Sequence, residues 1–158
     1  MSIGVVRSAM EIFERLEHWE DVISCYQMLD EPKKAEQLIR RLLIETPKSA
    51  KLHCLLGDVT SDPEQYQKAW DLSGGRFSRA MRSLGAEHYR KQEWQASIDC
   101  YSKALLINPL FDNSWFIMGC AALQLELFDQ AIIAFGRVTS IDPEVCDYNS
   151  RMQKPGII

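Results

Sequence analysis

Apolar side chains recur every three or four residues along most of the chain, the spacing that places them on one side of an α-helix. The first such run is carried by Val5, Val6, Ala9, Met10, Ile12, Phe13 and Leu16. No stretch alternates apolar and polar residues as a half-buried β-strand does. The pattern predicts an all-α protein with helices over residues 3–16, 19–29, 32–44, 49–59, 63–73, 77–91, 94–107, 113–125 and 128–140.

Residues that stop helices separate these segments. Pro47 ends one predicted helix, Gly74-Gly75 interrupts the middle of the chain, and Asn108-Pro109 and Asp142-Pro143 end two more. Most connections are short, so neighbouring helices are expected to run antiparallel as hairpins.

The second half of the chain repeats itself at a step of 34 residues. Self-similarity at this period is typical of arrays in which each helical hairpin packs on the next. The matching positions are Gly85 with Gly119, Tyr101 with Phe135, Ala104 with Val138, and Asn108-Pro109 with Asp142-Pro143.

These hairpins resemble the tetratricopeptide repeat. In the last one the signature residues are Trp115, Met118, Gly119, Ala122, Ala131, Phe135, Val138 and Pro143. The preceding one departs from the pattern at Met81 and Ser97, and an earlier one has Ile23 in place of the glycine. The resemblance implies a right-handed superhelical solenoid of antiparallel helix hairpins.

The repeat register divides residues 1–158, taken as a single domain, into successive parts. These are an unpaired leading helix at 3–15, repeats at 16–49, 78–111 and 112–145, a shortened irregular repeat at 50–77, and an irregular tail at 146–158.

Several segments also resemble the repeat region of the tetratricopeptide repeat protein 27 family, a eukaryotic family of much longer proteins. The resemblance implies no defined biochemical activity. The segments are residues 4–17, 19–22, 54–59, 68–72 and 115–121.

Composition and charge exclude several function classes. The net charge of −4 argues against general affinity for nucleic acid, which needs clustered Lys and Arg. No apolar run is long enough for a membrane span, and the first residues lack the pattern of a secretory signal. The five cysteines form no Cys-x-x-Cys pair, so we expect reduced thiols in the cytosol or nucleus, with no metal site and no cofactor.

Catalysis is not expected. His18, His53 and His88 are scattered, and none stands in a recognisable arrangement with a nucleophile. Trp19, Trp94, Trp115 and Phe128 recur at equivalent repeat positions, which favours packing between hairpins over a ligand cage.

In tetratricopeptide arrays the first helix of each hairpin lines a concave groove, so the resemblance implies which residues face a partner. The candidate peptide-binding residues are Arg79, Arg82, Tyr89, Arg90, Asn113, Phe116 and Gln124, and Arg76 adds to their positive charge. In the earlier repeats the same projection gives Glu17, Glu20, Ser24, Lys51, Cys54 and Asp58.

The arginine cluster has two interpretations. It either receives a carboxylate or an acidic segment of a partner, with Phe116 as an apolar neighbour, or forms a solvated face with local pairs to Glu87 or Glu93. The residue pattern of a clamp for chaperone tails is absent.

The sequence therefore predicts a non-enzymatic scaffold or adaptor that binds a protein or peptide, and neither nucleic acid nor membrane. The alternatives are a structural spacer in a longer protein, or homotypic assembly through uncapped ends. Ile132 and Ile133 would be exposed at one such end, and the chain is expected to be an excised segment or a short isoform.

Overall fold

The computed structural model describes residues 3–141, and all regular secondary structure in that range is α-helical. The helices are α1 Ile3–Arg15, α2 Trp19–Met28, α3 Pro32–Glu45, α4 Ala50–Thr60, α5 Pro63–Leu72, α6 Ser78–Arg90, α7 Trp94–Ile107, α8 Asp112–Gln124 and α9 Phe128–Ile141. The predicted all-α fold is confirmed. Asp142-Pro143, the tail at 146–158 and Cys146 lie outside the described residues.

Two compact units divide the chain, Met1–Gly74 and Gly75–Ile158, called unit 1 and unit 2 below. Gly74 and Gly75 stand at the boundary with φ of +63° and +74°. These left-handed angles cost a glycine little, because it has no Cβ to collide with the backbone.

Unit 1 contains α1 to α5. Its core is built on the apolar sides of α2, α3 and α4, and Met10 and Phe13 of α1 pack against it. The buried core residues are Val22, Ile23, Ala35, Leu38, Ile39, Leu55 and Leu56.

Unit 2 contains α6 to α9. Ile98 of α7 packs with Ala121 and Ala122 of α8 and Ala131 of α9, which joins its two hairpins into one core. Ser97 is fully buried beside them, and its hydroxyl donates a hydrogen bond of 2.9 Å to the Gly85 carbonyl. That bond satisfies the polar group that replaces the usual alanine.

Along the chain, each helix is either the first or the second helix of a hairpin. We call α2, α4, α6 and α8 first helices, and α1, α3, α5, α7 and α9 second helices. Within each unit, every extensive helix–helix contact among the described residues joins a first helix to a second helix.

A glycine on the first helix faces an aromatic ring on the second helix in three hairpins. The pairs are Gly57 with Tyr66, Gly85 with Tyr101, and Gly119 with Phe135. In the α2–α3 hairpin, Ile23 and Ile39 hold the corresponding positions, and both are fully buried. Two medium side chains there fill the space that glycine and a ring fill elsewhere.

The second helix of the α4–α5 hairpin is short. This helix, α5, has 10 residues, whereas α3, α7 and α9 each have 14. Tyr66 therefore lies near the start of α5, while Tyr101 lies in the middle of α7. The glycine–ring contact is kept although the helix is truncated.

Candidate functional site

The candidate residues occupy equivalent positions on α6 and α8. At the 34-residue step, Arg79 corresponds to Asn113, Arg82 to Phe116, and Arg90 to Gln124. The other sides of these helices are buried, through residues such as Leu84 and Gly119. Arg79, Arg90, Asn113, Phe116 and Gln124 are at least partly exposed, and Arg82 and Tyr89 are half-buried. We call these seven residues the inner positions of unit 2.

Arg82 is held in place by an aromatic ring. Its guanidinium carbon lies 4.0 Å from the centroid of Phe111, the residue that precedes α8. Its Nε is buried, and the described residues offer that atom no hydrogen-bond acceptor. Phe111 stacks on the flat face of the guanidinium. The terminal N–H groups lie at the edge of that plane, so stacking leaves them in the arrangement that matches the two oxygens of a carboxylate.

Arg82 and Tyr89 both lie close enough to Tyr101 to influence its ionisation. Burial raises the pKa of Tyr101 to about 12, while the positive charge of Arg82 acts in the opposite direction and Tyr89 adds to the rise. Tyr101 is therefore a neutral phenol across the physiological range. Tyr89 meets the Trp94 ring edge-on at a centroid distance of 5.0 Å and packs against the unit 2 core. The Tyr89 ring therefore contributes to core packing as well as to the inner positions.

Phe116 is the exposed aromatic residue among the inner positions. It is 42% exposed and meets the Phe135 ring edge-on, with centroids 5.8 Å apart. Phe135 also faces Gly119, so one glycine–ring contact supports the ring on which Phe116 rests. The exposed Phe116 ring, held by its contact with Phe135, is suited to contact an apolar side chain of a partner.

The guanidinium of Arg90 forms an ion pair with Glu87, a buried carboxylate. Glu93 instead contacts the imidazole of His88. Of the two local partners that the sequence allows for the cluster, the structure therefore selects Glu87 for Arg90. The charge that Arg90 offers to a partner is reduced accordingly.

Of the corresponding positions in unit 1, Cys54 and Asp58 are less accessible than the sequence suggests, whereas Glu17, Glu20, Ser24 and Lys51 are exposed. Cys54 is fully buried, so its predicted place on an exposed groove is wrong. Asp58 accepts a hydrogen bond of 3.0 Å from the Tyr66 hydroxyl. Glu20 and Lys51 form an ion pair that joins two first helices, α2 and α4.

Sequence reasoning missed an open cleft in unit 1. It has a volume of about 530 Å³, with Trp19, Leu42 and Leu52 in its wall. Four carboxylates also line it, from Glu17, Glu20, Asp21 and Glu45. The acidic run at 17–21 was the available sequence signal, but Leu42 and Glu45 join it only through the α2–α3 packing.

The histidine side chains have structural partners. His53 lies with Nδ1 3.0 Å from the Gln65 amide oxygen and Nε2 3.2 Å from the Pro47 carbonyl. His18 contacts Asp21. Within residues 3–141 no group of three His, Cys, Asp or Glu side chains is arranged to hold a metal ion.

The cysteines within that range form no disulfide. Cys25, Cys54 and Cys100 are buried, and Cys120 is half-buried. Burial raises the pKa of the Cys25, Cys100 and Cys120 thiols, which keeps them protonated and weakly reactive. Nor does any helix in the described part of the chain have the length and apolar character required to cross a bilayer.

Comparison with known proteins gives relatives with the same repeat. The chain is 44% identical over 137 residues to a TPR repeat-containing protein of Schizosaccharomyces pombe, covering 87% of this chain and 17% of that protein. It is 46% identical over 127 residues to the tetratricopeptide repeat protein 27 homolog of Dictyostelium discoideum, covering 80% and 15%. The chain spans about a sixth of the length of these curated relatives. No family model matches it.

Solved structures show the same fold at low sequence identity. A crystal structure of MamA superposes with a TM-score of 0.72 at 20% identity, covering 92% of this chain and 91% of that one. A thermophilic TPR protein of Thermus thermophilus gives 0.71 at 14% identity, covering 94% and 89%. YrrB, described as a TPR protein with an unusual peptide-binding site, gives 0.65 at 13%, covering 89% and 80%.

The stacked hairpins and the exposed positions on their first helices define a helical-repeat scaffold, a class that serves protein interactions. Within that class the chain belongs to the tetratricopeptide-repeat family, as its residue pattern predicts. The similarity to the tetratricopeptide repeat protein 27 family is likewise confirmed, over the part of those proteins that the chain spans.

Proposed function

We propose that the chain is a non-enzymatic adaptor whose unit 2 inner positions bind an acidic segment of a partner protein. One observation carries the proposal: α6 and α8 bury their other sides but leave Arg79 and Phe116 exposed, with Arg82, the residue equivalent to Phe116, half-buried. Arginine suits a carboxylate because its planar fork of N–H donors matches the two carboxylate oxygens.

Contacts with neighbouring aromatic rings hold two of the inner positions in place, so the proposed binding surface is preorganised. Arg82 rests on Phe111, and Phe116 rests on Phe135. Side chains that are already ordered lose less conformational entropy when a partner binds. YrrB, which has the same fold at 13% identity, is described as having an unusual peptide-binding site, and this supports a peptide segment as the partner.

The test compares captured partners between variants of the full chain. The binding variant combines Arg79→Glu with Phe116→Ala, both at exposed positions, and leaves Arg82 and Arg90 intact. The matched control combines Lys103→Glu with Leu106→Ala, both exposed on α7 and both outside the inner positions. Circular dichroism verifies that each variant is folded.

We expect affinity capture from a eukaryotic cytosolic lysate to give partners that the binding variant loses and the control keeps. Direct titration with an acidic segment of such a partner should then weaken at least about tenfold in the binding variant, and should weaken as salt rises. Equal capture by all three proteins would refute the inner positions as the binding surface.

A structural spacer is the second candidate function. The chain spans about a sixth of the relatives it matches, so most of each relative lies outside the matched region. The same experiment separates the two functions, because a spacer captures no partner through its first helices and is unaffected by Arg79→Glu with Phe116→Ala.

A further inference from the structure

The open cleft in unit 1 lies where the ends of three helices meet. Trp19 begins α2, Leu42 lies in the last turn of α3, and Leu52 lies in the first turn of α4. All three side chains are half-buried: they pack against the unit 1 core and also border the open volume of about 530 Å³. The cleft therefore has an apolar wall with one aromatic ring, and it has room for a whole side chain.

Four carboxylates border the same volume, so we call it the acidic cleft. Glu20 and Asp21 each contact a basic side chain close by. Glu17 and Glu45 are exposed, and neither forms an ion pair within residues 3–141. The end of α3 at Glu45 adds to the negative potential, because the last carbonyl groups of a helix carry partial negative charge.

The packing of the repeat does not require these acids. A step of 62 residues relates the α2–α3 hairpin to the α6–α7 hairpin. At that step Glu17 corresponds to Arg79, and Glu45 corresponds to Ile107. The same hairpin architecture thus forms with a basic and an apolar residue in place of the two acids. The acidic cleft is a property of this one site in the chain.

We infer that the acidic cleft binds an arginine side chain in a basic segment of a partner protein. The flat face of a guanidinium stacks on an aromatic ring such as Trp19, and the N–H groups at its edge pair with the oxygens of a carboxylate. The methylene stem of arginine covers apolar surface of the kind that Leu42 and Leu52 provide. This site lies in unit 1 and selects the charge opposite to the one proposed for the inner positions of unit 2.

Lysine and a metal ion match the cleft less well. The lysine ammonium is compact and strongly hydrated, and it has no flat face to stack on a ring. A hydrated metal ion gains nothing from an apolar wall, and no group of His, Cys, Asp or Glu side chains within residues 3–141 is arranged to hold one. The combination of carboxylates with an aromatic and aliphatic wall therefore favours arginine.

The experiment titrates the isotope-labelled full chain with three capped pentapeptides and follows the binding by NMR. The peptides are Ser-Gly-Arg-Gly-Ser and its versions with lysine or with citrulline, the neutral isostere of arginine, at the central position. The cleft variant is Glu17→Gln with Glu45→Gln. The matched control is Glu11→Gln with Glu64→Gln, which changes the net charge equally at two exposed positions of unit 1 outside the cleft.

We expect the arginine peptide to shift the Trp19 indole N–H and the amides of residues 17–21 and 42–46 to saturation. Its affinity should be at least about fivefold higher than that of the citrulline peptide, because the charge-assisted hydrogen bonds are lost in citrulline. The lysine peptide should bind more weakly than the arginine peptide. The cleft variant should lose at least about fivefold in affinity for the arginine peptide, and the control should retain it.

Several results overturn the inference. Saturable shifts that are absent, or that fall on residues outside the cleft, exclude it as the site. Equal affinity for the citrulline peptide removes the role of charge, and equal affinity for the lysine peptide removes the preference for arginine. Equal losses in the cleft variant and the control reduce the effect to net charge. If sedimentation shows a dimer that Glu17→Gln with Glu45→Gln dissociates, the occupant is a second copy of the chain.

Discussion

The contact between glycine and an aromatic ring is the most specific packing feature at the scale of single residues. A Cβ placed on Gly119 would lie 2.9 Å from atoms of the Phe135 ring, closer than carbon atoms approach without displacement. Gly85 has the same relation to Tyr101, again at 2.9 Å. The missing side chain is therefore what allows each ring to lie between the two helices of its hairpin.

Gly119→Ala is expected to lower the free energy of unfolding by about 1 kcal/mol. Overpacking costs about 1–3 kcal/mol, and the better helix propensity of alanine returns about 1 kcal/mol of it. Urea denaturation measures the change. Gly136→Ala on α9 is the control, because nothing lies within 4 Å of a Cβ there and the residue is exposed.

The control variant should gain about 0.5–1 kcal/mol from helix propensity alone. If the two variants change stability equally and in the same direction, the ring of Phe135 does not restrict Gly119.

At the scale of the element, each hairpin turn depends on one residue in the left-handed conformation. These residues are Asp30, Ser61, Gln92 and Glu126, and Glu17 has the same conformation in the connection between α1 and α2; their φ angles lie between 54° and 62° and none is glycine. In the α6–α7 turn the Glu93 N–H donates to the His88 carbonyl at 2.9 Å and the Gln92 N–H donates to the Tyr89 carbonyl at 3.0 Å. This pair of bonds is the Schellman ending of a helix.

Gln92→Gly is expected to stabilise the chain by about 0.5–1 kcal/mol. The left-handed conformation costs a residue with a Cβ about 1–2 kcal/mol, and the greater freedom of glycine in the unfolded chain offsets part of the gain. Gln95→Gly makes the same chemical change inside α7 and should cost about 1 kcal/mol. Thermal unfolding of both variants decides the point, and a loss of stability in Gln92→Gly contradicts it.

At the scale of the whole molecule, each unit has a core of its own. In unit 1 the core joins α2, α3 and α4, and in unit 2 it joins α7, α8 and α9. Helices in such an array contact mainly their neighbours in sequence, so a local defect is transmitted weakly along the chain.

Ile39→Ala should therefore destabilise unit 1 selectively. Ile39 is fully buried, and removing its side chain costs about 2–4 kcal/mol. Hydrogen exchange read by mass spectrometry should show faster exchange in α2 and α3 and unchanged protection in α8 and α9. Ile44→Ala, at an 81% exposed position on the same helix, should change neither region. Equal loss of protection in both units would contradict separate cores.

Much of this architecture could be predicted from the residue pattern. The helix positions follow from apolar spacing, and the repeat register follows from Gly85, Gly119, Tyr101 and Phe135. These features depend on neighbours within a few residues or on a fixed period, which a single sequence displays.

The environment of each candidate side chain could not be predicted in the same way. The sequence projects Cys54, Arg82 and Arg90 onto the same side of their helices, yet the structure buries the first, stacks the second on Phe111 and pairs the third with Glu87. Helical projection gives the direction of a side chain but not what it meets there.

The sequence by itself therefore determined the helices, their pairing into hairpins and the family of the repeat, because these depend on local spacing and on periodicity. Only the tertiary structure decided which inner positions stay accessible and which second helix keeps an uncovered apolar face. Ile98 and Ile132 occupy the same place in the repeat, but α8 covers one and leaves the other 69% exposed. Exposure depends on which helix packs against a residue, and that contact joins residues far apart in the sequence.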